Sequence, residues 1–312
     1  MVTVFCKTHL GTEPVGAAFY RASAGCVVGL WLASDERVVL KAYQARWSGP
    51  FLRAVQSIQG HAAVADFPCA QPRLPPTGLP GRRNLAVVEA WWPDPGTRAS
   101  RTAPARRVCA SGLATQIRLA AALDTPAALA AHPLQAIGED LYPQPHSPLF
   151  DFQATAVGAE WIDEIAVQAM TLRGSDPTPP VVAHTDWSAR NVRLRDAELL
   201  AVYDWDSVTV VPETTAVGQA AATWCVTSEP DGWEFPTLEG VRAFVEDYEA
   251  AAGCRFSPAQ WRATGAAAAW VLAYTARCEH SLAVVGQTRP DQHGARDRLA
   301  DAGTALLELA RP

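Results

Sequence analysis

The sequence predicts an α+β chain of two lobes, a small β-rich lobe followed by a larger, mainly helical one. Three observations carry this expectation. The 312 residues are 49% hydrophobic and 19% charged, longer than one ordinary domain and apolar enough for a sizeable core. Residues 17–43 alternate β-branched and aromatic runs with small or polar turns. Beyond a Pro- and Gly-containing stretch at 93–104, helical periodicity takes over. The expected division is a first lobe over 1–92, a hinge over 93–104 and a second lobe over 105–312.

The runs AAFYRA, VGLWLA and RVVLKAY read as an antiparallel meander, with a small-residue turn at 23–29 and a polar turn, SDER, between them. Residues 48–65 read as a helix, because Phe51, Val55, Ile58 and Ala62 recur at spacings of three and four. A Pro-rich connector over 68–80 leads to the apolar run LAVVEAWW. In the second lobe helices are expected over 105–123 and over 152–172, the latter with Trp161, Ile165, Ala169 and Leu172 on one face. Asp124, Thr125 and Pro126 supply a cap and a first-turn Pro for a further helix. The short apolar strands VVAH and LLAVY flank a polar loop over 185–198 and are expected to pair as a hairpin. Three helical segments finish the chain, one opening on the capping box Ser257-Pro258-Ala259-Gln260.

Composition excludes several classes. A net charge of −6 argues against nucleic acid as the main partner. The start, MVTVFCKTHL, lacks the basic-then-apolar layout of a secretory signal. The charge-free stretch at 263–276 is too short to span a bilayer and reads as a buried helix. Seven cysteines with no C-x-x-C pair argue against a disulfide framework or zinc site. A cytoplasmic protein with reduced thiols and no membrane partner is expected; oligomeric state is not legible. Lys7 and Lys41 are the only lysines, and Asn84 and Asn191 the only asparagines, in a chain rich in Ala and Arg. A retained Lys or Asn is therefore informative.

The chemistry concentrates in VVAHTDWSARNV and LLAVYDWDSV. Phosphoryl transfer needs a carboxylate to orient or deprotonate the attacking hydroxyl, plus an amide oxygen and a second carboxylate as hard ligands for Mg²⁺. Asp186, Asn191 and Asp204 supply those groups in that order. Lys41, inside an apolar strand, needs a partner for its ammonium, and nucleotide phosphates are the expected one. Read singly, the same residues also fit a buried His184, an Asp186 capping a turn, an Asn191 in a left-handed loop position and an edge lysine. That alternative does not explain their joint order.

These motifs resemble the aminoglycoside phosphotransferase and choline kinase group, which has the protein-kinase-like bilobal fold. The group's H-G-D-x-x-x-x-N loop reads here as residues 184–191, and its I-D-[WF]-[DE] strand end as Tyr203-Asp204-Trp205-Asp206. The resemblance covers roughly residues 15 to 285. It implies Asp186 as catalytic base, Asn191 and Asp204 as Mg²⁺ ligands, and Lys41 on the phosphates of ATP, with GTP an open alternative donor. It places Ser23, Gly25 and Gly29 in a phosphate-covering turn, and Glu89 and Trp91 where the interlobe strand meets adenine. The chain departs from the pattern in three ways. Thr185 replaces the usual Gly, the helix over 48–65 has no Glu to pair with Lys41 (leaving Gln56 or Gln59), and the usual Asp after the metal-binding strand is absent, with Glu213 the nearest acid.

A protein kinase would carry an Arg before its catalytic Asp and D-F-G and A-P-E markers around an activation loop. Here helix-like sequence resumes by Glu213, so a small-molecule hydroxyl acceptor is expected. Residues 1–149 hold 14 basic and 9 acidic side chains, and residues 150–312 hold 12 and 23. The acidic second lobe points to a cationic acceptor such as an amino sugar or amino alcohol, with solubilising surface charge as the alternative. Asp206, Glu229, Asp231, Glu234, Glu279 and His280 are its candidate contacts. A kinase-fold protein that binds a ligand without turnover is the rival function; the missing helix Glu and Thr185 favour it.

Overall fold

The computed structural model describes all residues except 23–24, 93–95, 99–100, 134–139, 146, 148, 196, 228–232, 288–293 and 312. Ser23, Glu229 and Asp231, together with part of the expected hinge, lie outside the described residues.

Helix α1 (Val2–Leu10) opens the chain and was not anticipated, because only Phe5 and Cys6 are buried in it and so short a stripe carries little periodicity. It packs on a five-stranded antiparallel sheet of β1 (Pro14–Ala22), β2 (Gly25–Leu32), β3 (Arg37–Tyr43), β4 (Pro72–Gly78) and β5 (Leu85–Ala90), ordered β1-β2-β3-β5-β4. The expected meander forms β1 to β3. The supposed connector over 68–80, however, contains β4. Its prolines are tolerated because β4 is an edge strand whose pairing with β5 is interrupted by register shifts. Strand β3 lies between β2 and β5, so Lys41 sits mid-sheet opposite Val27 and Val87. Phe5, Val28, Leu30, Val38, Leu40 and Val88 share a small core under this sheet. Helix α2 (Gly49–Val64) starts at Ser48, whose hydroxyl accepts from the Phe51 N–H at 3.2 Å, and buries the predicted Phe51, Val55, Ile58 and Ala62.

The second lobe contains β6 (Thr97–Arg98), α3 (Ala103–Ala120), α4 (Glu160–Gly174), β7 (Pro180–His184), β8 (Val192–Arg195), β9 (Glu198–Val202), β10 (Val208–Pro212), α5 (Glu213–Thr223), α6 (Leu238–Ala252), α7 (Pro258–Val284) and α8 (Ala295–Leu307). Strand β6, within the expected hinge, pairs with β8. Three expectations need correction here. VVAH and LLAVY do not pair: β7 pairs with β10, with His184 opposite Val208, and β9 pairs with β8, with Val202 opposite Val192. Apolar runs identify strands without naming partners, and β8, with arginines at two of its four positions, was hidden in the polar loop. Helix α4 begins at Glu160 rather than 152, and its buried stripe is Ile162, Ala166 and Ala169, rotated from the predicted face. Asp124, Thr125 and Pro126 precede only a one-turn 3₁₀ helix, Ala127–Ala130.

The predicted capping box at Ser257 opens α7, which runs buried through the second lobe and includes residues 263–276. Among the described residues no helix is long and apolar enough to cross a membrane. Helix α5 crosses α7 at Gly218, where an added Cβ would lie 2.1 Å from the Thr264 carbonyl oxygen. Gly218→Ala is therefore expected to push the helices apart and cost about 1–3 kcal/mol, read as a lowered unfolding free energy in urea.

Candidate active site

The loop after β7 is built around His184. Its ring is fully buried, and burial holds its pKa below the ordinary histidine value, so the imidazole is neutral. The Asp186 N–H donates to Nδ1 at 3.3 Å, so the proton sits on Nε2, which donates to the Tyr203 carbonyl at 2.8 Å. One neutral side chain thus ties the Asp186 loop to the strand end before Asp204. The Tyr203 N–H donates to the Asn191 carbonyl at 2.9 Å, which closes the other side. These links, rather than the hairpin expected from sequence, bring the loop and Asp204 together. Thr185 fits because its φ is not positive; its N–H and hydroxyl both donate to the Ser207 carbonyl, at 3.1 and 2.8 Å.

Asp186 accepts from Arg190 Nη2 at 2.9 Å and Ser188 Oγ at 3.3 Å on Oδ1, and from Asn191 Nδ2 at 2.8 Å on Oδ2. Burial opposes its charge, but the Arg190 charge and the Asn191 hydrogen bond outweigh it and hold the carboxyl below its usual range. Asn191 also donates Nδ2 to the Asp186 carbonyl at 2.9 Å. Both amide hydrogens are therefore committed to Asp186, which orients Oδ1 as the free end. Arg190 is a site residue that sequence reasoning quoted in the motif without a role; its place four residues after Asp186 was the available signal.

Asp204 has φ 62, a left-handed conformation uncommon outside glycine and characteristic of constrained functional positions. The one-turn helix Trp205–Ser207 that follows returns Asp206 toward Lys41. Burial and the Asp204 charge push the Asp206 carboxyl well above the ordinary range, and its Oδ1 is buried with no hydrogen-bond partner. Asp206 was expected only as an acceptor contact; the structure places it in the carboxylate pair with Asp204. Lys41 Nζ lies 3.1 Å from Glu89 Oε1 and 4.0 Å from Asp206 Oδ1. Burial works against the ammonium, but Glu89, Asp206 and Asp204 outweigh it and keep Lys41 protonated.

The missing helix glutamate is thus answered from β5. Glu89 pairs with Lys41, and Gln59 of α2 bridges the Ala70 carbonyl, at 2.7 Å, and Glu89 Oε1, at 3.3 Å. Gln56 instead donates to the Leu74 carbonyl. The side chains of Lys41 and Glu89 are only 10% and 8% exposed, so Glu89→Gln leaves a buried ammonium short of a counter-charge. An unfolding free energy lower by about 3 kcal/mol is expected, measured by denaturant titration.

Lys41, Asp186, Asn191, Asp204 and Asp206 all line one cleft of about 1300 Å³, together with Gly25. Gly25 is required there by close approach, since a Cβ would lie 2.7 Å from the Ala42 carbonyl oxygen. Gly29 and Trp91 are not among the residues lining it. Trp91 packs on Phe19 with ring centroids 5.8 Å apart, over the space that Gly29 leaves open. Of the proposed acceptor contacts, Glu234 is hydrogen-bonded to Arg101. Glu279 lines the cleft but accepts from Trp233 Nε1 at 2.6 Å and from the N–H groups of Ala295 and Arg296 at 2.9 and 2.8 Å, capping α8. His280 is turned to the Val157 carbonyl, 3.1 Å away. Glu213 accepts from the Tyr248 hydroxyl at 2.6 Å.

No protein-family model and no curated protein matches the sequence. Solved structures do match its fold along nearly the whole chain. An amicoumacin kinase, hAmiN, solved with AMP-PNP, Ca2+ and Ami, superposes with a TM-score of 0.61 at 10% identity over 95% of this chain and 89% of that one. Spectinomycin phosphotransferase APH(9)-Ia, solved with ADP and spectinomycin, gives a TM-score of 0.55 at 12% identity over 98% of both chains. A putative aminoglycoside phosphotransferase from Ralstonia eutropha JMP134 gives 0.54 at 13% identity, over 98% of this chain and 94% of that one. The chain has the α+β, protein-kinase-like bilobal fold of these small-molecule kinases.

Proposed function

We propose that the protein is an O-phosphotransferase that moves the γ-phosphate of ATP, as its magnesium complex, to a hydroxyl of a small molecule. The observation that carries this is the convergence of Asp186, Asn191, Asp204, Asp206 and Lys41 on one cleft wall. The donor set suits a hard divalent cation: an amide oxygen oriented outward, the Asp204 carboxylate and a buried, unsatisfied Asp206 oxygen. Asn191 and Asp204, supported by Asp206, would hold the ion. When bound, magnesium neutralises charge on the β- and γ-phosphates.

In the proposed reaction, Lys41, positioned by Glu89, neutralises phosphate oxygens. Asp186 orients the acceptor hydroxyl and receives its proton as the new O–P bond forms and the bond from Pγ to the β,γ-bridging oxygen breaks, releasing ADP. A carboxyl held below its usual pKa is a weak base, so Asp186 acts first by orientation and takes the proton late. Helix α5 begins at Glu213, nine residues after Asp204, which leaves no segment to dock a peptide and supports a small-molecule acceptor. The acidity of the second lobe acts on encounter over long range; the groups lining the cleft decide recognition. A mass-spectrometric screen of hydroxylated small molecules tests the proposal. A product heavier by about 80 Da, formed in step with ADP, is expected. Nucleotide binding with no product from any acceptor would instead support the non-catalytic binder.

A further inference from the structure

The part of the cleft wall built by α4, α5 and α7 carries side chains that the transfer chemistry does not use. Arg173, Gln219, Trp270 and Tyr274 all line the cleft. Trp270 and Tyr274, one turn apart on α7, are stacked with ring planes 10° apart and centroids separated by 6.1 Å. The Arg173 guanidinium carbon lies 4.8 Å from the centroid of the Trp270 ring. Its Nε is buried without a hydrogen-bond partner, and its one polar contact among the described residues is Nη1 with the Met170 sulfur at 3.9 Å. Burial pulls the group down to about 10, so it remains charged at neutral pH. Gln219, only 9% exposed, leaves Oε1 buried and unpaired.

A half-buried guanidinium whose Nε is shut off from water and faces no carboxylate is unfavourable, and an aromatic face offsets only part of that. The acids nearby do not offer a matching cation site. Glu279 and Glu234 are already committed, and Asp297, which also lines the cleft, is exposed, where an ion pair contributes little. We infer that the acceptor carries a carboxylate on a flat ring: Arg173 binds the carboxylate, Trp270 and Tyr274 the ring, and Gln219 Oε1 accepts from an N–H or O–H of the same molecule. A monoanion matches the Arg173 guanidinium and adds less repulsion to a bound triphosphate than a phosphate ester would. This deepens the phosphotransfer proposal and rests on it. It departs from the cationic acceptor expected from net charge.

The test is calorimetric titration of the full chain, preloaded with Mg²⁺ and AMP-PNP, with 4-(hydroxymethyl)benzoate and with its ammonium counterpart 4-(hydroxymethyl)benzylamine. The carboxylate is expected to bind at least about thirtyfold more tightly, the lower end of what a desolvated charge pair contributes. Arg173→Leu should erase that preference, and Arg173→Lys, which keeps charge but loses the planar fork, should restore only part of it. The thermal midpoint of Arg173→Leu should hold or rise, because a half-buried charge without a counter-charge is removed; a structural role would lower it. Equal binding of the two probes, preference for the ammonium, failure of the carboxylate to bind, or a preference that survives in Arg173→Leu overturns the subsite. Failure of Mg²⁺·AMP-PNP to bind at the preloading step counts against the phosphotransfer proposal itself, so the two failures are distinguishable.

Discussion

Asp186→Asn is expected to bind Mg²⁺·ATP as the parent does and to transfer phosphate about 10²–10⁴-fold more slowly. The substitution keeps the shape of the side chain and one acceptor oxygen for Arg190; it loses the oxygen that Asn191 Nδ2 meets at 2.8 Å, while the Asn191 bond to the backbone carbonyl of residue 186, at 2.9 Å, still holds the loop. What disappears is the anionic oxygen that orients the acceptor hydroxyl and receives its proton. Because Arg190 and the Asn191 hydrogen bond hold the Asp186 carboxyl below its usual range, this group is ionised across the neutral range. ADP release with acceptor present, set against calorimetric AMP-PNP binding, separates the two effects. Turnover equal to the parent would remove Asp186 from the chemistry.

Asp204→Asn should act one step earlier, weakening binding of the magnesium–nucleotide complex by more than about a hundredfold. Loss of a second-sphere partner alone costs 10–100-fold in metal affinity, and here a direct ligand loses its charge. Asparagine is the informative replacement because position 204 has φ 62, which Asn adopts more readily than most residues. The fold should not suffer. Removing the Asp204 charge beside the buried Asp206 carboxyl relieves a repulsion, so the midpoint of the nucleotide-free protein should hold or rise. Titration of AMP-PNP with and without Mg²⁺ reads the affinity, and thermal unfolding reads the stability.

Much of the candidate site was legible because phosphoryl transfer, the proposed chemistry, needs particular residue types at fixed spacing. His184, Asp186, Asn191 and Asp204 are local in sequence, and Lys41 stands out as one of two lysines. The partners of these groups were not legible. Glu89 lies 48 residues from Lys41 and meets it only because β5 pairs with β3, a sheet order that periodicity does not encode. Strand β4 was obscured by prolines that only an edge position accommodates, and β8 by its arginines. Glu279 and Glu234 read as free acids in sequence, while the fold commits one to capping α8 and the other to Arg101. Arg173 and Gln219 offered no signal at all, since only the fold leaves Arg173 Nε and Gln219 Oε1 buried and unpaired.

The most direct measurement is a crystal structure of the protein with Mg²⁺ and AMP-PNP. The account predicts a metal ion bound by Asn191 Oδ1 and the Asp204 carboxylate, with Lys41 on the phosphates and the γ-phosphate facing Asp186. A nucleotide seated outside this cleft, or a metal ion held by other side chains, would contradict it.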